Sequence, residues 1–316
     1  MDTGRKIPLR PGTDIAVVDV GARWLRGSRD LGMKGWGGRE EANDGRIRED
    51  KGGDLGRFGP WEERWPAIVA ELRALNPDVI ALQETWRDEE RTQARSLAEE
   101  LGYPHWAHED VEQVGGIAIV SRLPLMAKRR LDLQYSGHGE WPGTALIAGV
   151  EADFGTFDVA CVVEYGTIFR VLGSSASSAG RLLAYRVIVD ELTARDRDIP
   201  PVLLGDLNAT PYDEDMRVLT GKVPEAGVGL VFNDAWEMLH GPEGGWTFDL
   251  RDNPWLQGTP PGGRYRIDHV LPALSPEFPR SWRVDYAGRF GIEEHDGVVA
   301  SDHYGIFADL ELTDPF

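Results

Sequence analysis

The chain has 316 residues, with 53 Asp and Glu against 34 Lys and Arg, and a formal net charge of −19. That charge argues against tight sequence-independent binding to long duplex nucleic acid, which rests on cation–phosphate contacts. A hydrophobic content of 41% with 11 Trp supplies a globular core, and a single cysteine, Cys161, excludes an internal disulfide and a Cys-based zinc site.

Residues 14–20 (DIAVVDV) read as a first strand. Residues 21–60 are rich in Gly, Arg, Asp and Glu without a period of 2 or 3.6, and read as a flexible insertion in one domain spanning 1–316. Residues 61–75 carry Trp65, Ile68, Val69, Leu72 and Leu75 at helical spacing, and Asn76-Pro77 stops that helix. Residues 78–82 (DVIAL) form a buried strand running into Gln83-Glu84, and a second helix is expected over 88–101. GGIAIVS is a strand, and TALIAGVEA and FDVACVV are two more, turned around Gly155. A Ser/Gly-rich loop over 167–180 leads to a helix over 181–195. PVLLGD, RIDHVLP and YGIFADLEL follow as strands, with a Trp-rich loop at 236–255 between the first two. Helices alternate with strands, yet several neighbouring strands are joined by short turns. That fits a pair of mixed sheets with outer helices better than a purely parallel doubly wound sheet.

Polar residues stand where these apolar runs end: Glu84, then Asp206 and Asn208 in GDLNATP, Asp268 in RIDHV, and Asp302-His303 in SDHYGI. Acids directly after Val/Ile/Leu runs are costly unless they emerge at strand ends and do chemistry there. Glu84 offers oxygen to a hard cation such as Mg²⁺. Asp206 and Asn208, two residues apart, share one side of an extended segment. His303 is the acid–base candidate, with Asp268 able to fix its tautomer. Taken singly, each has a bland reading as a cap, a turn or a surface group. His269 should face away from Asp268 and be structural, His295 should be exposed, and Trp246, Thr247 and Trp255 should pack at a rim. The start of the chain has no signal-peptide core and no apolar run reaches the ~18 residues of a membrane span, so a cytoplasmic setting is expected.

Together LQE, GDLNATP, RIDHV and SDHYGI resemble the endonuclease/exonuclease/phosphatase superfamily, from about residue 61 to 312. The TFD, RID and SDHYG segments are more loosely similar to its tyrosyl-DNA phosphodiesterase branch. The resemblance implies an α+β, DNase I-like fold: a four-layer α/β/β/α sandwich of two packed mixed β-sheets flanked by helices. It implies a Mg²⁺- or Mn²⁺-dependent phosphoester hydrolase of phosphodiesterase or nuclease type. Glu84 would be the main metal ligand and Asp302 would support the metal. Asp206 would orient or activate the water, Asn208 would contact the phosphate and Asp268 would orient His303. Two positions depart from the family pattern. Asp19 stands where the first strand normally ends in a ligating Asn, and an Asp there can still ligate a cation. Glu164 stands where a phosphate-binding His is expected, an altered site position. These departures motivate the alternative of a weakened or inactive member acting as a binding or regulatory module. The expected partner is a phosphoester, either a small phosphodiester or a single-stranded or damaged DNA end; oligomeric state is not legible.

Overall fold

The structure, a computed structural model, describes residues 15–20, 61–111, 115–133, 143–164, 175–223, 229–256 and 263–314. The insertion expected at 21–60 lies outside the described residues, as does most of the loop expected at 167–180.

The strands are β1 (Ile15–Val20), β2 (Val79–Thr85), β3 (His105–Val111), β4 (Gly115–Ser121), β5 (Leu125–Leu133), β6 (Gly143–Ala152) and β7 (Gly155–Val163). They continue as β8 (Val202–Asp206), β9 (Val231–Phe232), β10 (Phe248–Asp249), β11 (Arg264–Tyr265), β12 (Asp268–Leu274), β13 (Ser281–Phe290) and β14 (Gly305–Thr313). The helices are α1 (Trp61–Leu75), α2 (Gln93–Leu101), α3 (Ser175–Ala194), α4 (Glu214–Leu219) and α5 (Ala235–His240). One six-stranded sheet has the order β13-β14-β1-β2-β4-β3 and the other β5-β6-β7-β8-β12-β9; β10 and β11 form a separate ribbon. Each sheet is mixed, with one parallel pair, β1–β2 in the first and β7–β8 in the second.

Alternation along the strands builds the layers. Ile15 and Val17 of β1, Val202 and Leu204 of β8, and Val270 of β12 meet between the sheets. Val18 and Val20 turn the other way, onto Ile68 and Leu72 of α1 and Leu97 of α2. Leu203 and Leu271 likewise face Tyr185, Ile188 and Leu192 of α3 and Met216 of α4. The fold is therefore the expected sandwich of two packed mixed sheets with helices outside. Among the described residues no helix is long and apolar enough to cross a membrane.

Element ends differ from the sequence reading for local reasons. The second helix begins at Gln93, not 88, because the Asp88 carboxylate accepts from the Glu90 and Arg91 amides and closes a turn. Thr92 then caps the helix by accepting from Arg95 N at 3.2 Å. The helix read at 181–195 starts earlier, at Ser175.

A buried ion pair ties α3 to α4. Arg181 donates Nε and an Nη to the two oxygens of Asp215, at 2.7 and 3.0 Å, and both side chains are buried. Removing one partner leaves the other charge buried and unpaired. Asp215→Ala is expected to cost about 3–5 kcal/mol in denaturant unfolding. A loss under about 1 kcal/mol, the level of a solvated surface pair, would show that this pair does not hold the helices together.

Candidate active site

Strand pairing brings the polar strand ends to one end of the sandwich. Asp19 lies opposite Ile306 of β14 and beside Ala81 of β2. In the second sheet Asp206 is paired with both Val163 and Asp268. By alternation Asp19, Gln83, Asp206 and Asp268 extend the rows of apolar side chains that fill the space between the sheets, so their polar ends are buried there. The close approach of β7 to β8 needs glycine just before Asp206. A Cβ on Gly205, at φ 142°, would lie 1.9 Å from the carbonyl oxygen of Val162.

The two sheets are joined here by a hydrogen-bonded pair. His303, which precedes β14, donates Nδ1–H to Asp268 of β12, with oxygens at 2.9 and 3.1 Å, and both residues are buried. An ionised carboxylate only accepts, so the proton sits on Nδ1. The far nitrogen, Nε2, is buried without a hydrogen-bond partner among the described residues. Burial opposes the imidazolium, but the charge and hydrogen bond of Asp268, then Asp206 and Asp302, outweigh it and hold His303 up to about 9. Asp206, Asp268 and His303 bring ligand-type atoms within 4.8 Å of one another.

Asn208, at φ 47°, folds back onto Asp206. Its backbone amide donates to Asp206 Oδ1 at 2.9 Å and its side-chain Nδ2 to Asp206 Oδ2 at 3.0 Å. The other Nδ2 hydrogen goes to the Glu164 carbonyl, so both amide hydrogens are engaged and Oδ1 is left without a partner among the described residues. Reversing the amide would set its oxygen against two acceptors. As it stands Asn208 orients Asp206. The phosphate contact expected of it requires one hydrogen to leave the Glu164 carbonyl.

Asp19 accepts from Gln83 Nε2 at 2.6 Å, and the same nitrogen lies 3.3 Å from Cys161 Sγ. Burial first, then the charge of Asp268, raises Asp19 well above the ordinary carboxylate range, while the Gln83 bond lowers it. Glu84, next to the last residue of β2, is half-buried at φ 51°, where the β2–β4 register shifts. Asp302 is buried beside Arg64, whose Nη lies 3.9 Å from Oδ1. Glu84, Asp302 and Asp19 stand outside the 4.8 Å cluster, which is Asp206, Asp268 and His303.

Glu164 turns the other way. Val163 faces the space between the sheets, and the next side chain lies over Gly143, where an added Cβ would fall within 3 Å of its carboxylate. Its charge is felt by Tyr185 on α3. What Glu164 gives the site is backbone: its carbonyl holds Asn208, and its amide donates to the Asp206 carbonyl at 2.8 Å.

A profile of the Endonuclease/Exonuclease/phosphatase family matches residues 57–303, most of the chain. The chain belongs to this family. No curated protein matches it significantly. Among solved structures it is similar to D. rerio TDP2 complexed with single-strand DNA product, at 16% identity and TM-score 0.65, covering 94% of this chain and 98% of that one. It is also similar to the endonuclease/exonuclease/phosphatase from Bacteroides vulgatus, at 15% identity and TM-score 0.64, covering 95% and 99%. The human Nocturnin catalytic domain with bound sulfate matches at 18% identity and TM-score 0.60, covering 97% of each chain. At these identities the likeness is one of fold.

Several residues around this strand-end cluster escaped the sequence reading. Arg64 had a signal, since it lies four residues before Ile68 and eight before Leu72 and so puts a cation on the buried stripe of α1. Asn253, in an irregular loop, had none. Other histidines stand apart: half-exposed His295 meets Glu71 of α1 at 2.7 Å. His269 faces away from the site, with Nε2–H donated to the Ala209 carbonyl at 2.9 Å and Nδ1 3.0 Å from Asp234.

Asp234 also accepts from Arg266, and both are buried. Burial would raise the Asp234 pKa, but hydrogen bonding and charge from His269, then Arg266, hold it well below the ordinary carboxylate range. A depressed folded-state pKa stabilises the protein above the unfolded value of about 4 and loses that contribution as pH falls below it. Asp234→Asn is therefore expected to lower stability near neutral pH and to flatten its decline below about pH 4. Urea unfolding at several pH values measures this; an unchanged acid limb in the variant would contradict it.

Proposed function

We propose that the protein is a divalent-metal-dependent phosphodiesterase of nuclease type, using Mg²⁺ or Mn²⁺ and attack of water on a phosphoester. The observation that carries this reading is the buried Asp268–His303 pair beside Asp206 at the strand-end edge of the sandwich. Membership of the family and the likeness of fold to D. rerio TDP2 and Nocturnin support it.

The donor set fits a hard cation. Asp19 Oδ2, Gln83 Oε1 and Asn208 Oδ1 are buried oxygens without a hydrogen-bond partner among the described residues. Carboxylate and amide oxygens are the ligands such ions take. By the family resemblance Glu84 would be the main ligand, with Asp302 and Asp19 supporting. A bound Mg²⁺ or Mn²⁺ would polarise a phosphoryl oxygen.

The chain's own residues supply the rest. Asp206, aligned by both amides of Asn208, accepts a hydrogen bond from the attacking water and orients it. His303, charged and with Nε2 free to donate, stabilises negative charge developing on the phosphoryl group. Asp268 keeps the ring in orientation and keeps its proton in place. The net charge of −19 favours a small phosphodiester or a single-stranded or damaged DNA end over long duplex.

Hydrolysis of a panel tests the reading: bis-nitrophenyl phosphate, plasmid DNA, a single-stranded oligonucleotide and sphingomyelin, each with Mg²⁺ or Mn²⁺ and with EDTA. Turnover should disappear in EDTA. Asp206→Ala and His303→Ala should each lower it by about 10²–10⁴-fold, the size of general acid–base contributions. Undiminished activity in both folded variants would sink the assignment. A flat panel from well-folded protein would favour the alternative of a binding or regulatory module.

Glu164→His makes a separate prediction. With its side chain over Gly143 rather than at the cluster, the substitution should not raise turnover; a gain of tenfold or more, about 1.4 kcal/mol, would mean that position does reach the phosphate.

A further inference from the structure

Four consecutive backbone carbonyls run into His303, and each is held by a side-chain donor from elsewhere in the chain. The Val299 carbonyl accepts from Trp255 Nε1 at 2.8 Å and the Ala300 carbonyl from Arg64 Nε at 3.0 Å. The carbonyls of Ser301 and Asp302 both accept from Asn253 Nδ2, each at 2.9 Å. Asn253 is fully buried, and its Oδ1 in turn accepts from the Trp255 amide at 3.0 Å. The Arg64 guanidinium sits 5.0 Å from the centre of the Trp255 ring, so the donors brace one another.

This segment precedes β14 and has no ladder of its own, so its buried carbonyls need partners from outside. One amide with two hydrogens meets two of them; no other residue of that size and shape offers two donors and an acceptor.

The same stretch of chain also grips the other half of the pair. Thr247 Oγ1 accepts from the backbone amides of Ile267 and Asp268, at 3.1 and 3.2 Å. The Thr247 carbonyl accepts from the Tyr304 amide at 2.8 Å. Residues 247–255 are thus bonded to the two peptide groups that lead into Asp268 and to the peptide groups on either side of His303, at the ends of different sheets.

We propose that Asn253, braced by Arg64 and Trp255, is a positioning residue that sets His303 against Asp268. For turnover this rests on the phosphodiesterase reading above; the geometry of the pair does not. A displacement of about 1 Å at a reacting group costs on the order of 10²-fold in rate. Loss of the two Asn253 donors removes these hydrogen bonds from the Ser301 and Asp302 carbonyls, immediately before the His303 ring.

The test compares wild type, Asn253→Leu and Trp255→Phe, which removes one carbonyl donor and keeps an aromatic ring. Each is measured for thermal midpoint, kcat and KM, and for the low-field NMR signal of the His303 Nδ1 proton. Asn253→Leu is expected to lower kcat about 10²-fold with KM within about threefold, and to shift or broaden the ring-proton signal. Trp255→Phe should act in the same direction and more weakly, and it decides the matter if Asn253→Leu does not fold. A lower thermal midpoint with kcat and the ring-proton signal both unchanged would make these residues loop packing only and overturn the proposal. If wild type cleaves no phosphodiester, the functional reading fails while the ring-proton signal still decides the positioning role: a shift upholds it and an unchanged signal overturns it.

Discussion

The hydrogen bond between His303 and Asp268 is the constraint on which the rest of the structure depends. Asp268 begins β12 of one sheet and His303 precedes β14 of the other, so the bond exists only when the two sheets are closed at this end. Both groups are buried, and a charge without its partner there would be costly. The packing between the sheets therefore carries the pair, and the pair sets how the strand ends meet. Glycine at 205 and the left-handed backbone at Glu84 and Asn208 mark where the chain bends out of regular strand geometry to bring side chains to that end.

Charge balance gives the site its chemical character. Asp19, Asp206, Asp268 and Asp302 are buried close to one another or to His303, and among the described residues His303 and Arg64 are buried basic groups beside them. Burial lowers Arg64 to about 10, with Asp302 partly restoring it. Among the described residues carboxyl groups outnumber basic ones at this end, which is why a hard dication enters the proposed function. The one cysteine, which lies against Gln83, takes no part in this balance, because burial pushes its thiol far up and keeps it neutral.

The strongly apolar strands were legible because both of their faces are covered. DVIAL, GGIAIVS, FDVACVV and PVLLGD appear as continuous apolar runs for that reason. β3, β5 and β13 were not read. Each is an edge strand or carries mixed exposed and buried positions, so apolar content and alternation fade together. Asp206, Asp268 and His303 were legible as polar residues beside apolar runs, and the structure draws them into one cluster. The side on which Glu164 lies, and the engagement of both Asn208 amide hydrogens, were not legible, because they depend on strand parity and on a neighbouring strand.

By itself the amino-acid sequence determined the elements with strong apolar periodicity, the superfamily resemblance and the order of the polar strand ends. These follow from local patterning, since a side chain's neighbours in sequence set which face of a helix or strand it joins. The tertiary structure alone decided which polar groups touch. It set His303 on Asp268, turned Glu164 away toward Gly143 and made Asn253 the holder of the chain before His303. Those contacts join residues far apart in the chain, and no local pattern encodes a hydrogen bond whose partners meet only after two sheets have packed.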